Sequence, residues 1–539
     1  MRESTLAAMK LTLVFLLALV WQSGAASDRP NILFFFVDDL GRYAGVYRDP
    51  GQRSLNDVVK TPNFDRIGRE GVIFNNAFVP VASCGPCRAS LATGRYFWNC
   101  GSGAFLNGKA SDWRGTPNPM KTLPKFGDRL RESGYFVQRS LKTFAFTPDR
   151  PTKAMREIKQ VPYQRYGLYV GTSGSEAERK RRHAEALAHP RTEMRRVLAH
   201  GTGKPFFFVY GSINVHRPYT PDSGRKLWGI QPDKLKGLIP KFLPDTHDVR
   251  RDFSDYLGEV QAADAMLGVM LDELEKAGQL DNTVVMVSGD HGIPGVPRGK
   301  TTCYDLGTRV PLLVRWPKRI KAGRQVDDFV SVMDIGPTLM EIAGAKLPKV
   351  DGQSFAMELT SERSGKIRRA REQVIIGREL HFHDARVGNL PYPMRAVRTP
   401  AYLYIRNFKP ERWPMGDPYQ SADLTSPGEL YEMGLKTSPA YRDLDGSLTK
   451  AYMMSQRDDE EEGRFLALTM NKRPKEELYL IYEDPYQLNN LADDPKHAAH
   501  LKLLRSRIDR VMKHSNDPRL TDAFDRAPWV AGQAQKSSR

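Results

Sequence analysis

Between Ser83 and Arg95 the chain reads S-C-G-P-C-R-A-S-L-A-T-G-R, and two kinds of chemistry could pass through this stretch. Cys84 and Cys87 spell the C-G-P-C of a thioredoxin-type dithiol, which needs a compact domain with the pair at a helix start soon after a strand. The same residues also place Cys84, Pro86 and Arg88 as the working set of a nucleophile loop. Two further stretches bear on the choice. Asp38-Asp39 and Asp290-His291 each follow an apolar run and lie in glycine-flanked loops. Hard carboxylate oxygens suit Ca²⁺ or Mg²⁺, and a single imidazole excludes neither. Taken singly, each pair reads as a turn or a cap. Together, at the ends of buried strands, they point to a metal and away from a dithiol.

The elements that must position these residues can be read from periodicity. Asn31 to Val37 is a continuous apolar run, the pattern of a strand buried on both faces of a parallel sheet. Thr61-Pro62 opens a short helix that Gly71 closes, with Pro at the first helical position. Val72 to Phe78 is extended and leads into the cysteine loop. A helix is predicted over Leu123 to Ser133, then strands at Tyr135 to Val137 and Pro205 to Tyr210. Ser175 to His200, with the basic run Arg179 to Arg182, reads as a solvated helix or a surface excursion. Asp255 to Ala277 gives the clearest helix, with Tyr256, Val260, Ala263, Leu267, Leu271 and Leu274 on one face. Strands follow at Thr283 to Ser288 and Val310 to Val314, and Asp334 is placed to cap a helix through Ala343. This alternation predicts an α/β domain with a largely parallel sheet, over residues 27–375.

Beyond it the pattern changes. Met394 to Val397 and Tyr402 to Ile405 predict an antiparallel hairpin, residues 407–476 show no period, Leu478 to Tyr482 is a strand, and Leu501, Leu504, Ile508 and Val511 mark a last amphipathic helix. A smaller α+β domain is expected over 376–535.

Length and composition agree with two domains: 539 residues, 40% hydrophobic and 27% charged, is a soluble globular balance. Residues 1–26 have the layout of a secretory signal, with Lys10 before an apolar run from Leu11 to Trp21 and small residues after it. No later segment reaches the roughly 20 apolar residues a membrane span needs. The protein is therefore expected to be exported, secreted or periplasmic, without a membrane span once the signal is removed. Net charge is +18, and +17 without residues 1–26. Such an excess favours anionic partners, whether nucleic acid, anionic membrane surfaces or sulfated polysaccharide, and export makes nucleic acid the least favoured of the three. Four cysteines (Cys84, Cys87, Cys100, Cys303) make no disulfide framework for a chain this long.

Set in order, the blocks P-N-I-L-F-F-F-V-D-D-L-G (30–41), T-P-N-F-D-R-I-G-R-E-G (61–71), C-G-P-C-R-A-S-L-A-T-G-R (84–95), V-S-G-D-H-G (287–292), G-K-T-T-C-Y-D-L-G-T-R-V-P-L (299–312), M-D-I-G-P-T-L (333–339) and E-E-L-Y-L-I-Y-E-D-P-Y-Q-L-N-N-L (476–491) resemble a type I sulfatase of the alkaline phosphatase-like superfamily over nearly the whole chain after the signal. Y-P-M-R-A-V-R-T-P-A-Y-L-Y-I (392–405) is most similar to the heparan N-sulfatase (sulfamidase) branch.

The resemblance implies an alkaline phosphatase-like sheet between helices and a sulfatase mechanism. Cys84 would be oxidised to formylglycine by a formylglycine-generating enzyme, and its hydrate would attack sulfur with one oxygen and expel sulfate through the other. Arg88 would hold the formylglycine. Asp38, Asp39, Asp290 and His291 would bind Ca²⁺, although many relatives have Asn where His291 stands. Lys142 and Lys300 match sulfate-contacting lysines, and His216 matches the histidine that protonates the leaving atom. Without the resemblance, Lys142 would read as a surface charge and His216 as a hydrogen-bonded loop residue. His381 and His383 would share one strand face and could meet the substrate from the second domain. Two positions depart from the family: Cys87 replaces a serine, and Ala145 stands where a histidine is common. The expected activity is hydrolysis of sulfate esters or sulfamates of sulfated glycans. The alternatives are a phosphoester or phosphonate hydrolase of the same superfamily and a weak enzyme that binds polyanions.

Overall fold

In the computed structural model, the described residues are 29–106, 119–418, 426–436 and 440–526. The signal expected at 1–26 lies outside them, as do residues 527–535 at the end of the second expected domain.

A seven-stranded sheet forms the body of the molecule. Its strands are β1 (Asn31–Val37), β2 (Val72–Phe78), β3 (Phe136–Leu141), β4 (Phe206–Gly211), β5 (Thr283–Gly289), β6 (Leu312–Arg315) and β7 (Arg324–Ser331), in the spatial order β3-β4-β1-β5-β6-β2-β7. β1 pairs in parallel with β4 and β5, and β3 with β4. β6 runs antiparallel to both β5 and β2, so β2 points the same way as β5. The carboxyl ends of β1 to β5 therefore emerge on one edge, where open α/β sheets bind ligands.

Strand alternation splits the core into two layers. Ile32, Phe34 and Phe36 face one side, where they meet α2 (Cys84–Thr93), α3 (Phe126–Glu132) and α6 (Ile335–Ile342). Leu33, Phe35 and Val37 face the other, against α1 (Pro62–Arg69), α4 (Glu176–Leu198) and α5 (His247–Lys276). All six residues predicted for the inner face of α5 are buried, and the helix begins eight residues earlier than expected because Val249 and Phe253 extend its apolar face. α4 is capped by the Ser175–Glu178 box, and Ala186, Met194 and Val197 bury it in the α5 layer. It is thus a half-buried helix whose basic run points outward. α3 starts at Phe126, not Leu123, since Pro124 disfavours a helical Leu123. The Asp334 carboxylate does not cap α6; it accepts from the N–H groups of Ser331 and Gln353 and pairs with Arg371.

The second sheet is antiparallel, in the order β11-β10-β9-β8, from β8 (Val374–Arg378), β9 (Met394–Arg398), β10 (Tyr402–Asn407) and β11 (Glu476–Leu480). The hairpin predicted across Thr399-Pro400 is β9–β10, and residue 375 falls inside β8. The stretch without a visible period holds α7 (Pro427–Gly434), α8 (Leu448–Ser455) and α9 (Gly463–Met470). They enclose a small core rich in methionine, with Met415, Met433, Met454 and Met470. Helices of eight residues are too short to show periodicity, and methionine fills irregular space without a pattern. The chain ends its described part with α10 (Ala498–His514), buried through Leu501, Leu504, Ile508 and Met512.

Candidate active site at the carboxyl edge of the large sheet

The β1–β5 register, which sets Val37 opposite Gly289, brings the two acidic stretches side by side. Asp38 and Asp39 leave β1 while Asp290 and His291 leave β5, and the four side chains are fully buried. The Asp39 N–H donates to Asp290 Oδ1 at 2.9 Å, which ties the two loops together. Asp39 takes a left-handed conformation (φ 63°) that aspartate tolerates better than most residues. One ring nitrogen of His216, in the loop after β4, lies within 4.8 Å of carboxylate oxygens of Asp38 and Asp39.

Two of the cations come from other strand ends, and the third from further along the loop after β5. Arg88, on the first turns of α2 after β2, donates Nη2 to Asp38 Oδ1 at 2.8 Å and Nε to Asp290 Oδ2 at 3.0 Å. Its Nη1 donates to the carbonyls of Lys142 and Thr143, fixing the loop after β3. Lys142 Nζ sits 2.7 Å from Asp38 Oδ2. Lys300 Nζ lies 3.3 Å from Asp39 Oδ2 and 3.1 Å from Asp445 Oδ2. Burial pushes the Asp38 carboxyl up, but Lys142 and then Arg88 and His216 outweigh it and hold the group well below the usual carboxylate range. For Asp290 burial prevails over Arg88 and His291, and its pKa is raised.

Cys84 is the first residue of α2, 3.2 Å from His291 Nε2 and 3.9 Å from Asp39 Oδ1. Burial drives its thiol well above the ordinary value, although Lys142 and Lys300 oppose the shift. A protonated thiol is a poor nucleophile and a poor redox group. Cys87, one turn on, is buried in the apolar layer that also holds Phe36 and Leu91, and all four cysteines are free. The dithiol reading has no geometric support.

The donors can hold a cation. His291 turns Nδ1 to the Gly292 carbonyl at 3.1 Å. Its Nε2 is aimed at Asp39 Oδ1 at 3.2 Å, Cys84 Sγ at 3.2 Å and Asp290 Oδ1 at 3.7 Å. This convergence of buried carboxylate oxygens and an imidazole nitrogen fits a divalent ion.

The sequence profile of the Sulfatase family matches residues 30–345, more than half of the chain. The chain belongs to the sulfatase family. A second profile, the C-terminal region of N-sulphoglucosamine sulphohydrolase, matches residues 297–453. The chain is 28% identical over 511 residues to an ulvan-active sulfatase of Formosa agariphila, covering 91% of this chain and 76% of the relative. It is 26% identical to the N-sulphoglucosamine sulphohydrolase of Homo sapiens, covering 93% of each. A solved structure of a protein in complex with its substrate D-glucosamine-2-N,6-O-disulfate matches the fold with a TM-score of 0.57 at 16% identity, covering 91% of this chain and 98% of that one. The sulfatase-like enzyme and the mixed, mostly parallel fold expected from the motifs are thus both found.

Within this sulfatase, the two histidines expected from the second domain behave differently from a strand pair. β8 ends at Arg378, Glu379 is held by Arg395 and Arg519, and the Phe382 N–H turns to Asp443, so residues 381–383 form a bend. His381 is buried and its Nδ1 lies 2.8 Å from the hydroxyl of Ser83, the residue before Cys84. Burial and the Lys300 charge hold it well below the ordinary histidine value, hence neutral. His383 is half-buried in the turn. Ala145 lines a cavity of about 640 Å³ together with Gly85, Arg88, Lys142, Arg139 and Phe105, so the space left by the smaller residue adjoins the site.

Sequence reasoning missed Asp445. Burial raises its pKa, yet Lys300, His381 and His216 more than offset this and hold it ionised. It comes from the region without periodicity, and its only signal was the D-L-D-G of residues 443–446.

Proposed function

We propose that the protein hydrolyses sulfate esters or sulfamates of sulfated glycans, with N-sulfated glucosamine as the leading substrate, through a formylglycine made from Cys84. The reading is carried by one observation: Cys84 opens a helix at the focus of Arg88, Lys142 and Lys300 and a buried carboxylate–imidazole set. The match of residues 297–453 to the N-sulphoglucosamine sulphohydrolase C-terminal profile supports the sugar assignment.

A hydrated formylglycine supplies two hydroxyls on one carbon, one to attack sulfur and one whose deprotonation releases sulfate. Arg88 keeps residue 84 in place, since it is anchored at both ends by carboxylates and the Lys142 carbonyl. Lys142 and Lys300 bind the sulfate oxygens, both kept charged by their carboxylate partners. His216 holds the proton that the departing oxygen or nitrogen takes. Asp38, Asp39, Asp290 and His291 would hold Ca²⁺, which would supply Lewis-acid polarisation of the sulfate oxygens. His381 borders this chamber through Ser83 and contacts the substrate; His383, from the same bend, approaches it from the rim. The enzyme is exported by the signal at residues 1–26, meets a formylglycine-generating enzyme during maturation, and works in a secreted or periplasmic setting. No helix among the described residues is long and apolar enough to cross a membrane.

Mass analysis of the peptide containing residue 84, with an aldehyde-reactive probe, tests the modification. The expected result is an aldehyde in protein co-expressed with the maturation enzyme. Sulfate release from N-sulfoglucosamine should then stop with a chelator and return with Ca²⁺. An unmodified cysteine together with no sulfate release from any glycan would sink the reading.

A further inference from the structure

A second concentration of positive charge lies away from the candidate active site. Arg42, Tyr43, Asn56, Phe242, Arg309 and Tyr486 help to line a pocket of about 250 Å³, and none of the residues placed in the sulfatase chemistry borders it. Arg42 stands in the turn after β1, its guanidinium 4.3 Å from the centre of the Tyr47 ring. Its Nε is buried without a hydrogen-bond partner. Arg309 donates Nε and Nη2 to the Asn75 carbonyl, with Nη2 also reaching Asn76 Oδ1, and Nη1 has no such partner among the described residues. Behind the Phe242 ring, 5.2 Å from its centre, lies the buried guanidinium of Arg298. Its Nη1 is held by the carbonyls of Tyr486 and Gln487, while Nε and Nη2 are unpartnered.

The carboxylate that lines the pocket does not balance this charge. Asp305 already accepts from Arg398, through Nε at 2.9 Å and Nη2 at 3.0 Å. Burial and then the repulsion of Arg42 push Arg309 down to about 9, with Arg398 adding to the effect and Asp305 opposing it. Burying cations with N–H groups left over is costly unless an anion meets them. Guanidinium groups match a tetrahedral oxyanion with two parallel hydrogen bonds. The rings of Tyr43, Phe242 and Tyr486 add an apolar wall of the kind that ligand pockets use around a few polar groups.

We propose that this pocket is a second oxyanion site, separate from Lys142 and Lys300, which takes a sulfate group either as the free ion or carried on a sugar. A chain-borne sulfate here would be one that the enzyme grips and does not remove. The free ion would be the product of sulfatase turnover returning to a second place on the enzyme.

Calorimetric titration of the matured full-length protein with sodium sulfate, and separately with a size-defined heparin tetrasaccharide, tests the proposal. The wild-type protein should bind two sulfate ions, Arg42→Gln one, and Lys300→Ala one, the sites lost being different. Turnover of an aryl sulfate should be unchanged in Arg42→Gln, so a failure of the sulfatase reading, seen as no turnover in wild type, leaves the stoichiometry free to be judged. A tetrasaccharide affinity lowered at least about tenfold in Arg42→Gln assigns the site to a chain-borne sulfate; an unchanged affinity with the ion count reduced assigns it to the free ion. If Arg42→Gln does not fold, selenate soaked into wild-type crystals should give an anomalous peak between Arg42 and Arg309. Two ions still bound to a folded Arg42→Gln, or no selenium peak there, would overturn the proposal.

Discussion

Two clusters of charge in this protein are withdrawn from water, and they differ in what is left unsatisfied. Under the second sheet, Arg395 donates to Asp517 through Nε at 2.6 Å and Nη2 at 2.8 Å, and to Glu379 Oε1 at 2.7 Å. Glu379 also receives Arg519, and all four side chains are fully buried. Trp98 covers the Arg395 guanidinium at 4.5 Å, and Arg519 Nε is buried without a hydrogen-bond partner. At the edge of the large sheet the carboxylates of Asp38, Asp39 and Asp290 meet Arg88, Lys142 and Lys300 just as closely. There, however, His291 Nε2, two carboxylate oxygens and the Cys84 sulfur converge on one point. Burial of charge does not by itself make a site. What makes a site is several groups converging on one point, as the Asp39 and Asp290 carboxylates and His291 Nε2 do; the spare Arg519 N–H stands by itself.

This contrast can be broken from either side. The largest effect is expected from Cys84→Ala, which should cut sulfate release by at least about 10³-fold while leaving near-ultraviolet dichroism and heparin binding intact. Loss of heparin binding as well would mean that Cys84 holds the site together and does not serve the chemistry. Arg395→Met attacks the closed network and leaves the Asp517 carboxylate buried without its cation. It should cost about 3–5 kcal/mol in urea unfolding. A cost near zero would show that water reaches that network. Asp445→Asn removes one of the two carboxylates beside Lys300, and kcat/KM should fall about 10- to 100-fold with little change in unfolding midpoint, as for a charge that orients a sulfate-binding group. An unchanged kcat/KM would make Asp445 structural only.

The last effect concerns a carboxyl in neither cluster and shows only as a change with pH. Burial pushes Glu259, on α5, up to about 8, although Arg165 and the Gly167 N–H oppose the shift. The folded protein then keeps a proton that the unfolded chain releases near the ordinary glutamate value. Stability contributed by this group is present at low pH and falls as pH climbs through the range up to about 8. Glu259→Gln should flatten that slope, a difference of about 2.5 kcal/mol in unfolding free energy between pH 5 and pH 7. Parallel slopes in the two proteins would refute the protonation.

Much of this was legible beforehand. Asp38-Asp39 and Asp290-His291 announced themselves because each follows an apolar run, and a run buried on both faces must be a strand of a covered sheet. Lys142 and His216 joined them only through the resemblance to sulfatases, since by pattern alone the first reads as a surface charge and the second as a loop histidine. The bend at His381 was not legible. An alternating H-F-H reads as a strand until Asp443, sixty residues on, draws the Phe382 N–H out of line. Nor was Asp445, because α7, α8 and α9 are short and their core is methionine, which packs without period.

The sequence by itself determined that Cys84 stands in a sulfatase motif, that carboxylates end two buried strands, and that a lysine follows at position 300. Those facts depend on neighbours in the chain and on strand burial, which local pattern records. Only the tertiary structure decided that Cys87 stays a free thiol in the apolar layer, that His291 Nε2 meets Asp39 and Cys84, and that Asp445 reaches Lys300. Each of these depends on where one loop lies against another far away in the chain, and hydrophobic pattern carries no information about that distance.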